Sequence, residues 1–305
     1  MKIVYFTKGQ RGSTCLAYIL EKGYSVGAVI GVDQEDEVDQ LAEQYGFPIL
    51  LLDKINSLES VAQLKELDSD LFVLCGYNKI LKKSVIEIPP LGTINLHGGK
   101  LPEYRGAAPI NWQIINGEII GGCSIIYVDE GIDTGDIIAQ EIYPLEAEDT
   151  HASVLDKTLE IFPRLLVQVL EQVESGTVQT MKQDPLAGKY FRRRYPRDSR
   201  IDWSGMTDVQ VHNLVRGMHG PYPAAFTYRD DIKVEIDRTE LLEETITGIP
   251  GRIPQKRAHQ AVVLAKNRGL VILEITVDGE KTDPSTFFKI GDDLGKEKKE
   301  DGKHE

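Results

Sequence analysis

"KIVYFTKGQRGSTCLAYILEKGYSVGAVIGV" runs from Lys2 to Val32, and its reading decides the fold class. Lys2–Thr7 is an apolar run of strand length, and Gly12-Ser13-Thr14 offers a turn and a helix N-cap. Leu16–Lys22 then reads as a helix stopped by Gly23, and Val26–Val32 as a second apolar strand. The alternation continues, with Glu37–Gln44 helical, Gly46 as its C-cap and Pro48–Leu52 as a third strand. Strands and helices alternating through short joints predict an α/β fold built on a Rossmann-like, mostly parallel sheet. A bound dinucleotide does not follow. Asp33 stands where a ribose-binding acid would, but the first turn, Lys8–Ser13, spaces its glycines as GxxG rather than GxGxxG.

Beyond this stretch, Leu71–Cys75 is a buried strand ending in the polar turn Gly76-Tyr77-Asn78-Lys79, and Ile80–Ile86 reads as a helix stopped by Pro89-Pro90. Thr93–His97 is the next strand, Ala108–Asn116 a helix with Pro109 near its start, and Gly122–Val128 another strand closed by the acidic loop Asp129–Asp136. His151–Val173 is a long amphipathic helix. Asp184–Trp203, rich in Arg, Tyr, Pro and Asp and without periodicity, reads as a linker, and Thr207–Met218 as one more helix. Short apolar runs at Ala225–Tyr228, Lys233–Ile236, Gly251–Ile253, Ala261–Ala265 and Leu270–Val277 suggest a small, OB-like β-barrel. The expected organisation is a catalytic domain over 1–183, a linker over 184–205, a β-rich domain over 206–290 and a disordered tail over 291–305, where the chain is almost all charge and glycine.

The formal charge is −13. Proteins that grip nucleic acid through phosphates usually carry a basic stripe. The dense one here, Phe191–Arg197, fits a solvated linker, with a phosphate contact as the alternative. Cys15, Cys75 and Cys123 lack pairing or metal spacing and read as buried thiols, and the histidines show no metal-ligand spacing. No apolar run reaches membrane-helix length and no signal-peptide layout opens the chain, so a cytoplasmic protein without membrane association is expected.

Asn95 and His97 lie one residue apart, so on a strand they share a face. A histidine suits proton transfer, and an amide donor beside it suits a developing oxyanion. A carboxylate orienting the ring and favouring the imidazolium would complete the set. Asp133 and Asp136 are the candidates, because Gly131 and Gly135 beside them allow close backbone approach. Spacing alone leaves open a core histidine and a solvated acidic turn.

Three motifs carry a resemblance: Asn95-Leu96-His97, Leu101-Pro102-x-x-Arg105-Gly106 and Asp133-x-Gly135. In this order they resemble the formyltransferases that use 10-formyltetrahydrofolate, a family acting on methionyl-tRNA, glycinamide ribonucleotide or sugar nucleotides. Arg200–Trp203, Val211–Gly217 and Pro221–Phe226 resemble the linker and C-terminal entry of the methionyl-tRNA and aminosugar branches, so the likeness spans residues 1–290. It implies that a substrate amine attacks the formyl carbon while Asn95 and protonated His97 stabilise the oxyanion. His97 would also protonate the departing folate nitrogen, and Asp133 would receive the amine proton through water. The folate would lie between Tyr77–Leu81 and Asp129–Asp133, with Tyr77, Lys79, Ile80, Leu81, Gly99, Leu101, Pro102, Asp129, Glu130, Gly131 and Ile132 as its contacts.

For the acceptor, the resemblance favours the sugar branch. The methionyl-tRNA branch carries a basic, glycine-containing insertion after the second strand, and here the same place reads Val32-Asp33-Gln34-Glu35-Asp36-Glu37-Val38-Asp39. Such a loop would repel tRNA phosphates. His97-Gly98-Gly99-Lys100 and Asn111-Trp112 also look like the sugar branch. Lys100, Arg105 and Trp112 are its candidate substrate contacts, and Lys79 and Lys100 could meet a nucleotide diphosphate. Arg105 could do the same or hold the loop. Ala107 stands where the UDP-aminoarabinose enzyme has an arginine, which argues against that sugar. The expectation is a homodimeric enzyme formylating a dTDP-, UDP- or GDP-linked aminosugar for surface glycan synthesis, such as lipopolysaccharide, without a metal. Methionyl-tRNA is the alternative acceptor, and a folate- or nucleotide-binding relative that has lost its chemistry is a non-enzymatic one.

Overall fold

The computed structural model describes residues 1–218, 220 and 222–295. Two compact units form: residues 1–109, 120–144 and 155–192 make the first, and residues 110–119, 145–154 and 193 onward the second.

The first unit opens with β1 (Lys2–Thr7), α1 (Gln10–Glu21), β2 (Ser25–Gly31), α2 (Asp36–Tyr45) and β3 (Ile49–Leu51). It continues through α3 (Leu58–Glu66), β4 (Leu71–Cys75), α4 (Lys83–Ile86), β5 (Thr93–His97) and the two-residue β6 (Arg105–Gly106). After α5 (Pro109–Ile115), which packs mainly in the second unit, come β7 (Ile120–Tyr127), β8 (Ile137–Pro144), α6 (His151–Ser175) and β9 (Tyr190–Phe191). The seven-stranded sheet has the order β3-β2-β1-β4-β5-β7-β8, parallel from β3 to β5 and antiparallel at its β7–β8 edge. β1 and β4 are buried on both faces, which is why they read as continuous apolar runs. Val4, Phe6, Ile30, Phe72 and Leu74 take one face and pack against Leu64, Leu81 and Val85. The Rossmann-like expectation holds.

In this unit α3, β8 and the two-residue β6 and β9 have no counterpart in the sequence reading, and in the second unit described below the same holds for residues 255–257, 280–282 and 284–287. The helix expected over Ile80–Ile86 is also shorter, because Asn56 captures the backbone at its start. Its Nδ2 donates to the Ile80 carbonyl at 2.8 Å and its Oδ1 accepts from the Lys82 N–H at 2.7 Å. The helix therefore begins only at Lys83.

The second unit holds α7 (Asp208–Gly217), β10 (Ala225–Arg229), β11 (Ile232–Leu241), β12 (Gln255–Arg257), β13 (Gln260–Leu264), β14 (Gly269–Val277), β15 (Glu280–Thr282) and α8 (Pro284–Phe287). Thr207 caps α7 in a reciprocal capping box with Gln210. β10-β11-β14-β13-β12 run antiparallel, with β15 on β14. Gly251–Ile253, expected as a strand, forms only isolated pairings, yet these close the sheet. The Gly251 N–H donates to Leu264, the Ile253 N–H to Asp292, the Leu294 N–H back to Gly251, and the Gly295 N–H to Tyr228 in β10. Gly291–Gly295, grouped with the charged tail by composition, thus supplies the closing segment, and Leu294 is buried in the core. Residues 296–305 of that expected tail lie outside the described residues.

The stretch read as a linker is structured as well. β9 pairs with β6 in the first unit, a 3-10 turn covers Pro196–Ser199, and Ile201 and Trp203 are buried in the second unit's core. All three cysteines are free and buried, and burial pushes the Cys123 thiol up to about 12. No described helix is long and apolar enough to cross a membrane.

Candidate active site

β5 carries the central pair. Its register sets Asn95 opposite Leu74 and Ile126, and His97 opposite Ser124, so both side chains leave the same face of the sheet. His97 is 5% exposed, and its Nε2 lies 2.6 Å from the Tyr104 carbonyl oxygen. A carbonyl only accepts, so Nε2 must carry a hydrogen. The ring nitrogen left to gain or lose a proton is Nδ1, and it lies 3.5 Å from Asp133 Oδ2. Asp133 Oδ2 also accepts the Gly106 N–H at 2.9 Å, while its Oδ1 faces Asn95 Nδ2 at 3.4 Å. One carboxylate therefore touches the amide, the imidazole and the backbone of the following loop. Asp136, the other acid weighed, instead accepts from Thr180 Oγ1 at 3.3 Å.

The loop after β5 is stiff for local reasons. A Cβ on Gly99 would stand 2.7 Å from the Tyr104 carbonyl oxygen and 2.8 Å from His97 Nε2, so only glycine lets the chain pass the imidazole. Ser124 Oγ donates to the Gly99 carbonyl, and Gln140 Nε2 donates to the Leu101 carbonyl and to Ser124. Leu101 is buried against Ile126 and Ile137, and the Leu101–Pro102 peptide is cis.

The Asp133 turn is shaped by backbone proximity. Asp133 takes a left-handed φ of 53°. A Cβ on Gly135 would fall 1.8 Å from the Tyr127 carbonyl oxygen. Gly135→Ala should therefore move the turn. The expected outcome is a loss of about 1–3 kcal/mol in urea unfolding and a kcat lowered at least about tenfold by the displaced carboxylate.

An amide donor, a half-committed imidazole and a carboxylate bound to both can stabilise an oxyanion and move one proton. No cluster of three or more His, Cys, Asp or Glu able to hold a metal ion occurs among the described residues. Residues 1–170 match the formyl transferase family, and residues 194–290 match the formyl transferase C-terminal domain. The chain belongs to the formyl transferase family. This formyl transferase is 33% identical to the methionyl-tRNA formyltransferase of Citrifermentans bemidjiense, across 95% of its own length and 93% of that protein. With the methionyl-tRNA formyltransferase of Ruminiclostridium cellulolyticum it shares 31% identity over 92% and 93% of the two chains. Its fold is similar to that of the sugar 3N-formyl transferase WlaRD, solved with dTDP and 5-N-formyl-THF. That match has a TM-score of 0.66 at 19% identity and covers 92% and 98% of the chains. The N-formyltransferase of Helicobacter canadensis, solved with folinic acid and dTDP-3-aminofucose, also gives a TM-score of 0.66, at 20% identity over 90% and 99%.

The other residues singled out in this formyl transferase fall into three groups. Tyr77 and Leu81 pack on the same apolar cluster as Val128, which brings the Tyr77 turn and the start of the Asp129 loop onto one base. Leu81 is buried there, whereas Ile80 is 71% exposed and Ile132 42% exposed. Glu130 and Gly131 are exposed, and Asp129 Oδ1 is spent on its own turn, accepting from Gly131 N–H and Thr134 Oγ1. The Tyr77 hydroxyl is buried with no hydrogen-bond partner among the described residues, and burial pushes the phenol up to about 12.

The cations are largely engaged. Lys79 Nζ donates to the Leu52 carbonyl at 3.0 Å, and Lys100 pairs with Glu103 at 3.0 Å. Arg105 is 7% exposed and bonded to Gln183 and the Asp184 carbonyl, the arrangement of a residue that holds the loop. Trp112 belongs to the second unit, where the Arg194 guanidinium lies 4.7 Å from its ring centroid. The sequence reading missed Tyr104 and Gln183. Both act on backbone or through backbone, so no side-chain spacing announces them.

Proposed function

We propose that this formyl transferase moves the formyl group of 10-formyltetrahydrofolate onto the amino group of a nucleotide-linked amino-deoxysugar. The β2–α2 connection carries the choice of acceptor. It is only Val32–Glu35 long, and α2 follows with Asp36, Glu37 and Asp39 in its first turn. Asp33 pairs with Lys8 at 2.7 Å, Glu35 accepts the Gly9 N–H, and Glu37 accepts from Ser13 Oγ. These acids thus tie α2 to the start of α1 and leave a negative rim that would repel a phosphate backbone. The shared fold with enzymes solved with dTDP and a dTDP-aminosugar supports the same reading.

In the mechanism, the acceptor's neutral nitrogen forms a bond to the formyl carbon, and the formyl oxygen takes up negative charge. Asn95 Nδ2 and the protonated His97 stabilise that charge. Asp133 takes the proton lost by the amine through a water. His97 Nδ1 supplies a proton to the folate nitrogen as the carbon–nitrogen bond to it breaks. The folate lies against the Tyr77–Leu81 and Asp129–Ile132 segments, and holding both substrates there removes much of the entropic cost.

Methionyl-tRNA is the second reading, favoured by the full-length relatives at 31–33% identity. An acceptor screen separates the two. Purified protein and 10-formyltetrahydrofolate are incubated with methionyl-tRNA or with a panel of dTDP-, UDP- and GDP-linked aminosugars, and products are read by mass. One formyl group gained on a sugar nucleotide, and lost in His97→Ala, is expected. Formylation of methionyl-tRNA alone would overturn the reading.

A further inference from the structure

We propose that Gln183 is a positioning residue for formyl transfer: its carboxamide, held by Arg105, fixes the backbone of the Asp133 turn and so aims the Asp133 carboxylate at His97 and Asn95. The inference rests on the reading of Asp133 as the catalytic carboxylate.

The hydrogen bonds leave Gln183 one orientation. Its Nε2 donates to the Asp133 carbonyl at 2.9 Å and to the Gly135 carbonyl at 2.7 Å. Its Oε1 accepts from Arg105 Nε at 3.0 Å and Nη2 at 2.8 Å. Carbonyls only accept and a guanidinium only donates, so a flipped amide would oppose like groups at all four contacts. Both ends of the carboxamide are fully used. The two carbonyls it joins bracket the turn in which Asp133 adopts its left-handed conformation, one that aspartate enters more readily than most residues and that the two bonds hold in place.

Arg105 is fixed in turn. Its N–H donates to the Lys189 carbonyl and its Nη2 to the Asp184 carbonyl, and β6 pairs with β9. A Cβ on Gly188 would stand 2.1 Å from Arg105 Nη1, so the segment lies directly on the guanidinium. Tyr104, whose carbonyl holds His97, stacks its ring on Phe191 with centroids 4.8 Å apart. The segment 183–191 thereby grips both partners of the catalytic pair, Asp133 through Gln183 and His97 through Tyr104. It does so without touching a reacting atom.

The test compares Gln183→Ala and Gln183→Met in the full chain, alone and combined with Asp133→Asn. Turnover is measured on the acceptor that the wild type formylates. Amide exchange of Gly106, whose N–H rests on the Asp133 carboxylate, is followed by NMR and needs no turnover. The expected result is a kcat lowered about thirtyfold with both KM values within about threefold. In the Asp133→Asn background the same change should cost less than about threefold, because the pair acts as one unit. Gly106 exchange should quicken at least about tenfold while β1 amides are unchanged. Unchanged Gly106 exchange would overturn the clamp. Equal losses in both backgrounds would overturn action through Asp133. Quickened exchange with full activity in Asp133→Asn would overturn the catalytic reading of the turn, and the positioning role with it.

Discussion

Asp133→Asn should lower kcat roughly a thousandfold while leaving the KM for both substrates within about threefold. The substitution keeps the size of the side chain and one oxygen able to accept the Gly106 N–H. It removes the negative charge 3.5 Å from His97 Nδ1 and, with it, the base proposed for the amine proton. With that oxygen kept on Gly106, the new NH2 group faces Asn95 Nδ2, which itself donates. Asn95 Nδ2, His97 Nε2–H and the loop glycines remain, so substrate binding should persist and the loss should fall on the transition state. Steady-state kinetics with unfolding measured in parallel checks this. A kcat within about fivefold of wild type, in a folded variant, would show that Asp133 orders the loop but performs no proton transfer.

The second large effect is on stability. Asp208→Ala should destabilise the C-terminal unit by about 2–4 kcal/mol. The carboxylate is 1% exposed at the first position of α7, and it accepts from Arg268 Nε at 2.6 Å and from Asn267 Nδ2 at 2.8 Å. Burial alone would raise its pKa. The bonds from Asn267, Arg268 and the Val209 N–H outweigh burial and hold the carboxyl below its ordinary value. A depressed carboxyl stabilises the fold above the unfolded carboxyl value of about 3.9, and that contribution is lost as pH falls through the folded value. The gap between wild type and Asp208→Ala should therefore be full at neutral pH and shrink below about pH 4. Both tryptophans of the chain, Trp112 and Trp203, belong to this unit, so their fluorescence in urea reports its unfolding. A gap that is absent at neutral pH, or that widens in acid, would contradict the account.

Where the sequence was legible, burial was simple. β1, β2, β4 and β5 announce themselves because parallel strands covered on both faces read as apolar runs. Asn95, His97 and Asp133 could be singled out because their residue types and the glycines near them suit acid–base chemistry, and the geometry brings the three together. α3 was silent because its apolar signal is inverted: Leu58 is 91% exposed, while a serine, Ser60, is buried. β8 runs buried, half-exposed and exposed in no regular alternation, as befits an edge strand. The short α4 depends on Asn56, distant in sequence, and the closing pairings of the second unit's sheet depend on five residues that look like tail. Arg105 illustrates a deeper limit. An arginine in a glycine-rich loop is as good an anion contact as a strut, and only the partner, Gln183, decides between them.

The central claim is that the Asn95–His97–Asp133 site formylates a sugar nucleotide in preference to methionyl-tRNA. Its most direct measurement is a competition with both acceptors in one vessel, limiting 10-formyltetrahydrofolate, and His97→Ala as the control. The ratio of products then gives the ratio of the two kcat/KM values without separate kinetics. The account predicts that the formyl group goes to the aminosugar nucleotide by at least about a hundredfold, and to neither acceptor in His97→Ala. Preferential formylation of methionyl-tRNA would contradict it, and would mean that the acidic rim from Asp33 to Asp39 does not face the acceptor.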